Sequence, residues 1–169
     1  MQDVSAAFDQ MGQGWINLTL RVGDEVFLLD WLSYTGDVVG DVLRATLEIV
    51  AGGQRGVAHL EREPMEYRLI LERRWESLLH RTIFRIRLLE FPDIYAEAPD
   101  AEGHLRFSVT CDPLLFGRAI HTAATRLFAE ADENGEIEWW GLPFPFRAYF
   151  ALEAALERNG PAPRSTRPA

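Results

Sequence analysis

The sequence predicts an α+β domain: a mostly antiparallel sheet of about six strands with three helices packed on one face. Several segments alternate apolar and polar residues with the period of a half-buried strand, and most follow one another without intervening helices. Three other segments repeat apolar residues at helical spacing. The resulting order, β-β-α-β-β-β-β-α-α, does not alternate helix with strand, which argues against a doubly wound parallel sheet.

Residues 1–13 lack a sustained pattern and are expected to be loosely ordered. The folded unit is expected over 14–158 as one domain, the simplest arrangement for a chain of 169 residues. In "WINLTLRV", Ile16, Leu18 and Leu20 fall on one face and Asn17, Thr19 and Arg21 on the other, and Gly23-Asp24 turns the chain into a second strand, "EVFLLDWL". A helix follows, with Val39, Val42, Leu43, Leu47 and Val50 at helical spacing, Asp37 placed to cap its start and Gly52-Gly53 to end it. "GVAHLERE" reads as a third strand ended near Pro64. "MEYRLILERR" turns Met65, Tyr67, Leu69 and Leu71 inward and leaves Arg68, Glu72 and Arg74 exposed. "LLHRTIFRIRLLEF" turns Phe84, Ile86 and Leu88 inward and Arg85 and Arg87 outward, onto a solvated charged face; pairing across with Arg68 and Glu72 is the alternative. After an acidic loop, "HLRFSVTC" is a strand with Leu105, Phe107 and Val109 inward. Asp112 and Pro113 then open a helix whose buried stripe is Phe116, Ile120, Ala123, Ala124, Leu127 and Phe128. A last helix from near Pro145 buries Phe146, Tyr149, Phe150, Leu152 and Leu156. The segment 159–169 has no apolar anchor and is expected to be disordered.

Seventeen basic residues face 26 acidic ones, for a formal charge of −9, and every basic residue is arginine. Arginine without lysine is the usage of a GC-rich bacterial genome. It removes a P-loop lysine and any lysine Schiff base from the possible chemistry. A net negative chain is also a poor ligand for nucleic acid. No apolar run is long enough to span a bilayer, and the first residues carry neither a basic n-region nor an apolar h-region. With Cys111 the lone cysteine, no internal disulfide forms. The expectation is a cytoplasmic protein that uses neither membrane nor nucleic acid.

Catalytic and metal signatures are not found. No two of His59, His80, His104 and His121 lie three or four residues apart, so no helix presents a metal-binding pair. Cys111 precedes a helix N-terminus, where a thiolate is favoured, yet it also continues the inward parity of Leu105, Phe107 and Val109. A buried thiol is the better reading, and a Cys–His hydrolase requires a distant histidine to converge on it. Glu136 and Glu138 share a face on a strand but sit within a solvated acidic run. No catalytic residue, metal or cofactor is expected.

The chain's densest stretch is "EIEWWGLPFPFRAYFALEAAL". Glu130, Asp132, Glu133, Glu136 and Glu138 precede Trp139 and Trp140 directly, and a second acidic stretch runs through Glu90, Asp93, Glu97, Asp100 and Glu102 around Tyr95. Adjacent tryptophans on an extended segment point to opposite sides, so one enters the core while its neighbour stays at the surface among carboxylates. Such a surface suits a basic protein partner. The alternative is that both indoles are core and the acids form a polar loop.

"SYTGDVVGDVLRA", "EREPMEYRLILER", "IRLLEF" and "PFPFRAYFALEAAL" together resemble a group of small bacterial immunity proteins encoded beside polymorphic or contact-dependent toxins. The shared pattern is a Ser-Tyr…Gly-Asp helix, a Glu-Pro before a strand and a Trp…Pro-Phe-Pro closing helix. The resemblance implies a non-enzymatic cytoplasmic binder that blocks a toxin's active site or an essential surface. It implies no particular site residues. Many such toxins are nucleases with basic grooves, which an acidic aromatic patch engages by charge complementarity. On that reading the contact residues are Glu130, Asp132, Glu133, Glu136, Glu138, Trp139 and Trp140, with Asp93, Tyr95 and Glu97. A small-molecule-binding or sensory domain, with an apolar pocket between sheet and helices, is the alternative.

Overall fold

The structure, a computed structural model, describes residues 2–94 and 97–160. Seven strands and three helices succeed one another: β1 (Val4–Gly12), β2 (Trp15–Val22), β3 (Glu25–Ser33), α1 (Val38–Val50), β4 (Arg55–Arg62), β5 (Met65–Glu76), β6 (Arg81–Phe91), a 3-10 turn at Asp100–Glu102, β7 (His104–Cys111), α2 (Pro113–Phe128) and α3 (Phe146–Asn159). The α+β class stands, but the strands form two antiparallel sheets, β1-β2-β3 and β4-β5-β6-β7, in place of one. Between Ser33 and Arg55 the chain runs through α1, so β3 and β4 are not held in register by a hairpin. The two sheets meet through side chains. Arg62 Nε lies 3.1 Å from an Asp30 carboxylate oxygen, and the Phe27 ring of β3 stacks on Phe107 of β7 with centroids 4.1 Å apart.

Residues 4–12 are the first correction. They are not loose but pair with β2 over nearly their whole length, and Phe8 is buried. Small residues such as Ser5, Ala6 and Ala7 give little alternation to read, and it is the partner strand that orders them. At the other end α3 continues to Asn159, whose side-chain amide donates to the carbonyls of Val50 and Ala155. The rest of the segment expected to be disordered, 161–169, lies outside the described residues.

The helices begin where local chemistry places them. Asp37 accepts from the Gly40 N–H at 3.0 Å, and Asp112 accepts from Leu114 and Leu115 at 2.8 and 2.9 Å, each satisfying amide donors that the first turn leaves open. α1 lies against β4 and β5 and touches both other helices, and α2 lies on β1. One apolar cluster joins both sheets and all three helices. The helices therefore do not share a single sheet face.

Two strand irregularities change which residues face water. Between Ile16 and Leu18, β2 has one residue where β3 has two, and Trp31 takes a positive φ of 53°. The buried Asn17 side chain accepts the Trp31 N–H at 2.8 Å, so this residue, expected outward and wet, satisfies the bulge. A second register shift opposite Leu88 and Leu89 moves Leu105 off the inward parity, and it is exposed.

The outer face of the second sheet is not wet throughout. Ile70, Leu89 and Phe91 form a second buried cluster with Val57 and Ala98, beneath the segment leading to β7. Arg68, expected exposed, is buried there. Its guanidinium lies 3.9 Å from the Phe91 ring centroid, donates to Glu66 at 2.6 Å, and donates to the Ala98 carbonyl at 2.5 Å. Asp100 receives Arg55 at 2.6 Å, with Arg68 and Arg87 within 4 Å. Glu72 pairs with Arg85 and Arg87, where a solvated charged face was expected. Burial works to raise its carboxyl pKa, but the Arg85 hydrogen bond and the Arg87 charge outweigh that and hold it below its ordinary value.

Truncating Arg68 leaves the Glu66 carboxylate buried without its closest cation. Arg68→Ala is expected to cost about 3–5 kcal/mol in urea denaturation. Amide exchange is expected to accelerate in residues 97–103 more than in α1.

Candidate functional site

The acidic loop follows directly from the end of α2. Asp132 organises it: one carboxylate oxygen accepts from the N–H groups of Asn134 and Glu136, at 2.9 and 2.8 Å, while the Asp132 carbonyl accepts from Gly135. The Glu136 amide hydrogen bond is the largest influence lowering the Asp132 pKa. Gly135 turns at φ +80°, and a Cβ there would collide with the Phe146 ring, so the loop is pressed onto the start of α3. Asp132 is thus committed to the turn. Glu130 accepts the Trp139 indole N–H at 2.8 Å. Glu133, Glu136 and Glu138 are exposed and have no ion pair or side-chain hydrogen bond among the described residues.

The two tryptophans are buried to different extents, and both pack on the apolar core. Trp140 is buried in the core and Trp139 is half-buried, their rings edge to face at 6.2 Å. The segment is not extended. The Trp140 N–H bonds back to the Ile137 carbonyl at 2.9 Å, and Gly141 leaves the turn at φ +83°. A turn separates the indoles where strand alternation was expected to do so.

Sequence reasoning missed the aromatic residues on both flanks of this loop. On one flank the Trp139 carbonyl accepts the Gly14 N–H at 2.7 Å, and the Gly14 carbonyl accepts the Tyr34 N–H at 3.0 Å. Tyr34 is exposed, as is Trp31, which meets Trp15 edge to face at 6.1 Å. The readable signal was the break in period between Leu29 and Leu32, both of which are buried. On the other flank Phe128 and Phe150, both expected buried, are 36% and 50% exposed, with ring centroids 6.1 Å apart. Phe150 is two residues from the buried Leu152, roughly 200° around the helix, so it cannot share that face. Phe146, expected buried, is half-buried between them.

Of the second acidic stretch, Asp93 and Glu97 are exposed and Tyr95 lies outside the described residues. The Ile94 N–H donates to the Pro64 carbonyl, and Ile94 shares an open groove with Thr35, Glu61 and Glu63. Thr35 follows Tyr34 in the chain and hydrogen-bonds both glutamates. The two acidic stretches therefore connect through the Tyr34 corner, with Glu61 and Glu63 as acids that sequence reasoning did not place there.

Elsewhere no catalytic grouping assembles among the described residues. Cys111 lies in a groove of about 350 Å³ lined by Gln2, Arg73, Arg81, Thr82, Asp112 and others, none of them histidine. Burial, and then the Asp112 charge, push its thiol up to about 12. His59 pairs with Glu66 at 3.1 Å, while His121 stacks on Tyr149 with centroids 4.5 Å apart and has its pKa lowered by burial. No group of three or more histidine, cysteine or carboxylate side chains is placed to hold a metal ion among the described residues. The spaces between sheets are open grooves, among them one of about 560 Å³ between β3 and the second sheet, lined by Phe27, Asp30, Arg62, Tyr67, Glu90 and Phe107 among others. Comparison of the chain with protein-family models, with curated proteins and with solved structures finds no match.

The Cys111 thiol ionises in the unfolded chain near its ordinary value of 9 and stays protonated in the fold up to about 12. Its contribution is full below the first value and is lost as pH rises through the second. The urea midpoint of the native protein is expected to fall across this alkaline window, and less steeply in Cys111→Ala. Alkylation of the native thiol at neutral pH is expected to be slow, and fast once urea unfolds the chain.

Proposed function

We propose that the chain is a non-enzymatic protein-binding module, an immunity protein of the cytoplasm that neutralises a cognate bacterial toxin by covering a basic surface on it. One observation carries the reading. Glu133, Glu136 and Glu138 stand exposed and unpaired on a loop flanked by the exposed Tyr34 on one side and by Phe128 and Phe150 on the other, with the exposed Trp31 three residues before Tyr34 in the chain. Many of the other carboxylates, Asp30, Glu66, Glu72 and Asp100 among them, are neutralised within the fold. The acidic loop is held rigid by Asp132 and by the anchored Trp140, so its charges are presented without much ordering cost on binding.

The physical division of labour follows from the residue types. Unpaired carboxylates steer a basic partner and set the association rate. Exposed aromatic rings supply the apolar area that slows dissociation, and truncating such an anchor commonly costs about 2 kcal/mol or more. A toxin domain that binds nucleic acid through a basic groove is the kind of partner this surface fits. The chain's charge of −9 keeps the module itself from competing for that nucleic acid.

The test is capture of the partner from the source cell, followed by binding measurements on variants. Glu133→Ala, Glu136→Ala and Glu138→Ala combined are expected to lower the association rate and flatten its salt dependence. Trp31→Ala is expected to raise the dissociation rate about tenfold or more with the salt slope retained. Unchanged affinity and salt slope in the triple variant would remove this surface from the function.

A further inference from the structure

The β5–β6 hairpin runs past the rest of its sheet. β4 begins opposite Glu72 and β7 ends opposite Phe84, so from Arg74↔Ile83 to the tip the two strands have no paired strand on either side among the described residues. An isolated two-stranded arm is marginal in water and favours polar turn residues at its end. This one carries the opposite. Trp75 is 60% exposed, Leu79 55% and Leu78 90%, the last making it the most exposed of the large apolar side chains on the described surface. Three arginines, Arg73, Arg74 and Arg81, flank them against a single acid, Glu76. Arg74 and Arg81 have no ion pair among the described residues.

The arm stands at the pole opposite the acidic loop. Arg81 lines the groove beside Asp112 and Pro113, where α2 starts, whereas the acidic loop follows the other end of that 16-residue helix, about 24 Å away. A chain with a formal charge of −9 thus presents one end that is both basic and apolar.

We infer that residues 74–81 form a docking tip for an anionic phospholipid surface: Leu78, Leu79 and Trp75 enter the headgroup–acyl boundary, and Arg74 and Arg81 meet the lipid phosphates. The tip is convex and two-stranded, a shape that a deformable lipid layer accepts without a matching groove. Leucine at the leading edge, tryptophan behind it and arginine behind both follow the polarity gradient of a bilayer interface. The acidic loop is repelled by the same surface, which fixes the orientation and leaves that loop facing the aqueous side. No helix of the described residues is long and apolar enough to cross a membrane, so the contact is peripheral. It departs from the sequence-based expectation of no membrane contact, because periodicity does not show where a hairpin outruns its sheet. It is independent of the partner reading at the other pole.

The probe is vesicles of phosphatidylcholine with and without phosphatidylglycerol, read by co-sedimentation and by quenching of tryptophan emission with brominated acyl chains. The native protein is expected to bind only the phosphatidylglycerol vesicles, with quenching that largely disappears in Trp75→Phe. Arg74→Gln and Arg81→Gln are each expected to weaken partition about fivefold. The double variant Leu78→Asp with Leu79→Asp is expected to abolish it while leaving the thermal midpoint in place, since neither side chain is packed. Failure of the native protein to bind anionic vesicles overturns the inference, as does binding that all these variants leave unchanged. A concentration-dependent dimer that the Leu78→Asp, Leu79→Asp variant abolishes, without vesicle binding, overturns it in favour of contact between copies of the chain.

Discussion

Helix α1 is enclosed on most of its circumference, and the rest of the chain is arranged by what can approach it. Nine of its residues are buried, including Gly40, Ala45 and Thr46. The Thr46 hydroxyl, which would otherwise be an unsatisfied group in the core, donates to the Val42 carbonyl at 2.7 Å. Two glycines set the distance of closest approach. A Cβ at Gly56 on β4 would run into the Ala45 carbonyl, and one at Gly117 on α2 would press on the Val50 side chain. Strand and helix each sit closer to α1 than a larger residue allows.

With α1 fixed between the sheets and the other helices, α2 is carried across β1 and its C-terminal end delivers the chain into the acidic loop. Trp140 then closes the core from below that loop, while Gly14 and Tyr34 hold it from the side. The loop's geometry is therefore a consequence of core packing as well as of its own turn chemistry. This arrangement leaves a rigid anionic surface standing on an apolar base.

Charge is partitioned in the same way. A formal −9 says little about where negative potential is found, because many acids are spent inside the fold. Asp100 holds the segment before β7 onto the second sheet through Arg55, Glu72 fastens β5 to β6, and Asp30 ties the first sheet to the second through Arg62. What remains unpaired in the acidic loop is Glu133, Glu136 and Glu138. What remains unpaired among the arginines of the overhanging hairpin is Arg74 and Arg81.

The sequence by itself determined the elements that short-range physics dictates. The helices could be read because Asp37, Asp112 and Pro113 act within one turn of where they sit, and the hydrogen bonds at Gly40, Leu114 and Leu115 are local. Tyr67, Leu69, Leu71, Phe84, Ile86 and Leu88 could be read because a strand's parity survives as long as its register does. The exposed acids of the loop were legible from their polar, turn-rich run, but the turn that sets Trp139 against Trp140 was not. Tertiary structure decided the rest. Parity is lost at a bulge, which is why Leu105 left the inward face and why Asn17 is buried against the Trp31 amide. A wet sheet face cannot be told from one that a later segment covers, which is why Arg68 is buried. β1 is ordered by a partner its own residues do not specify. The division into two sheets, and the placing of Tyr34 on one flank of the acidic loop and Phe128 with Phe150 on the other, depend on contacts between residues far apart in the chain, and one-dimensional periodicity carries no information about those.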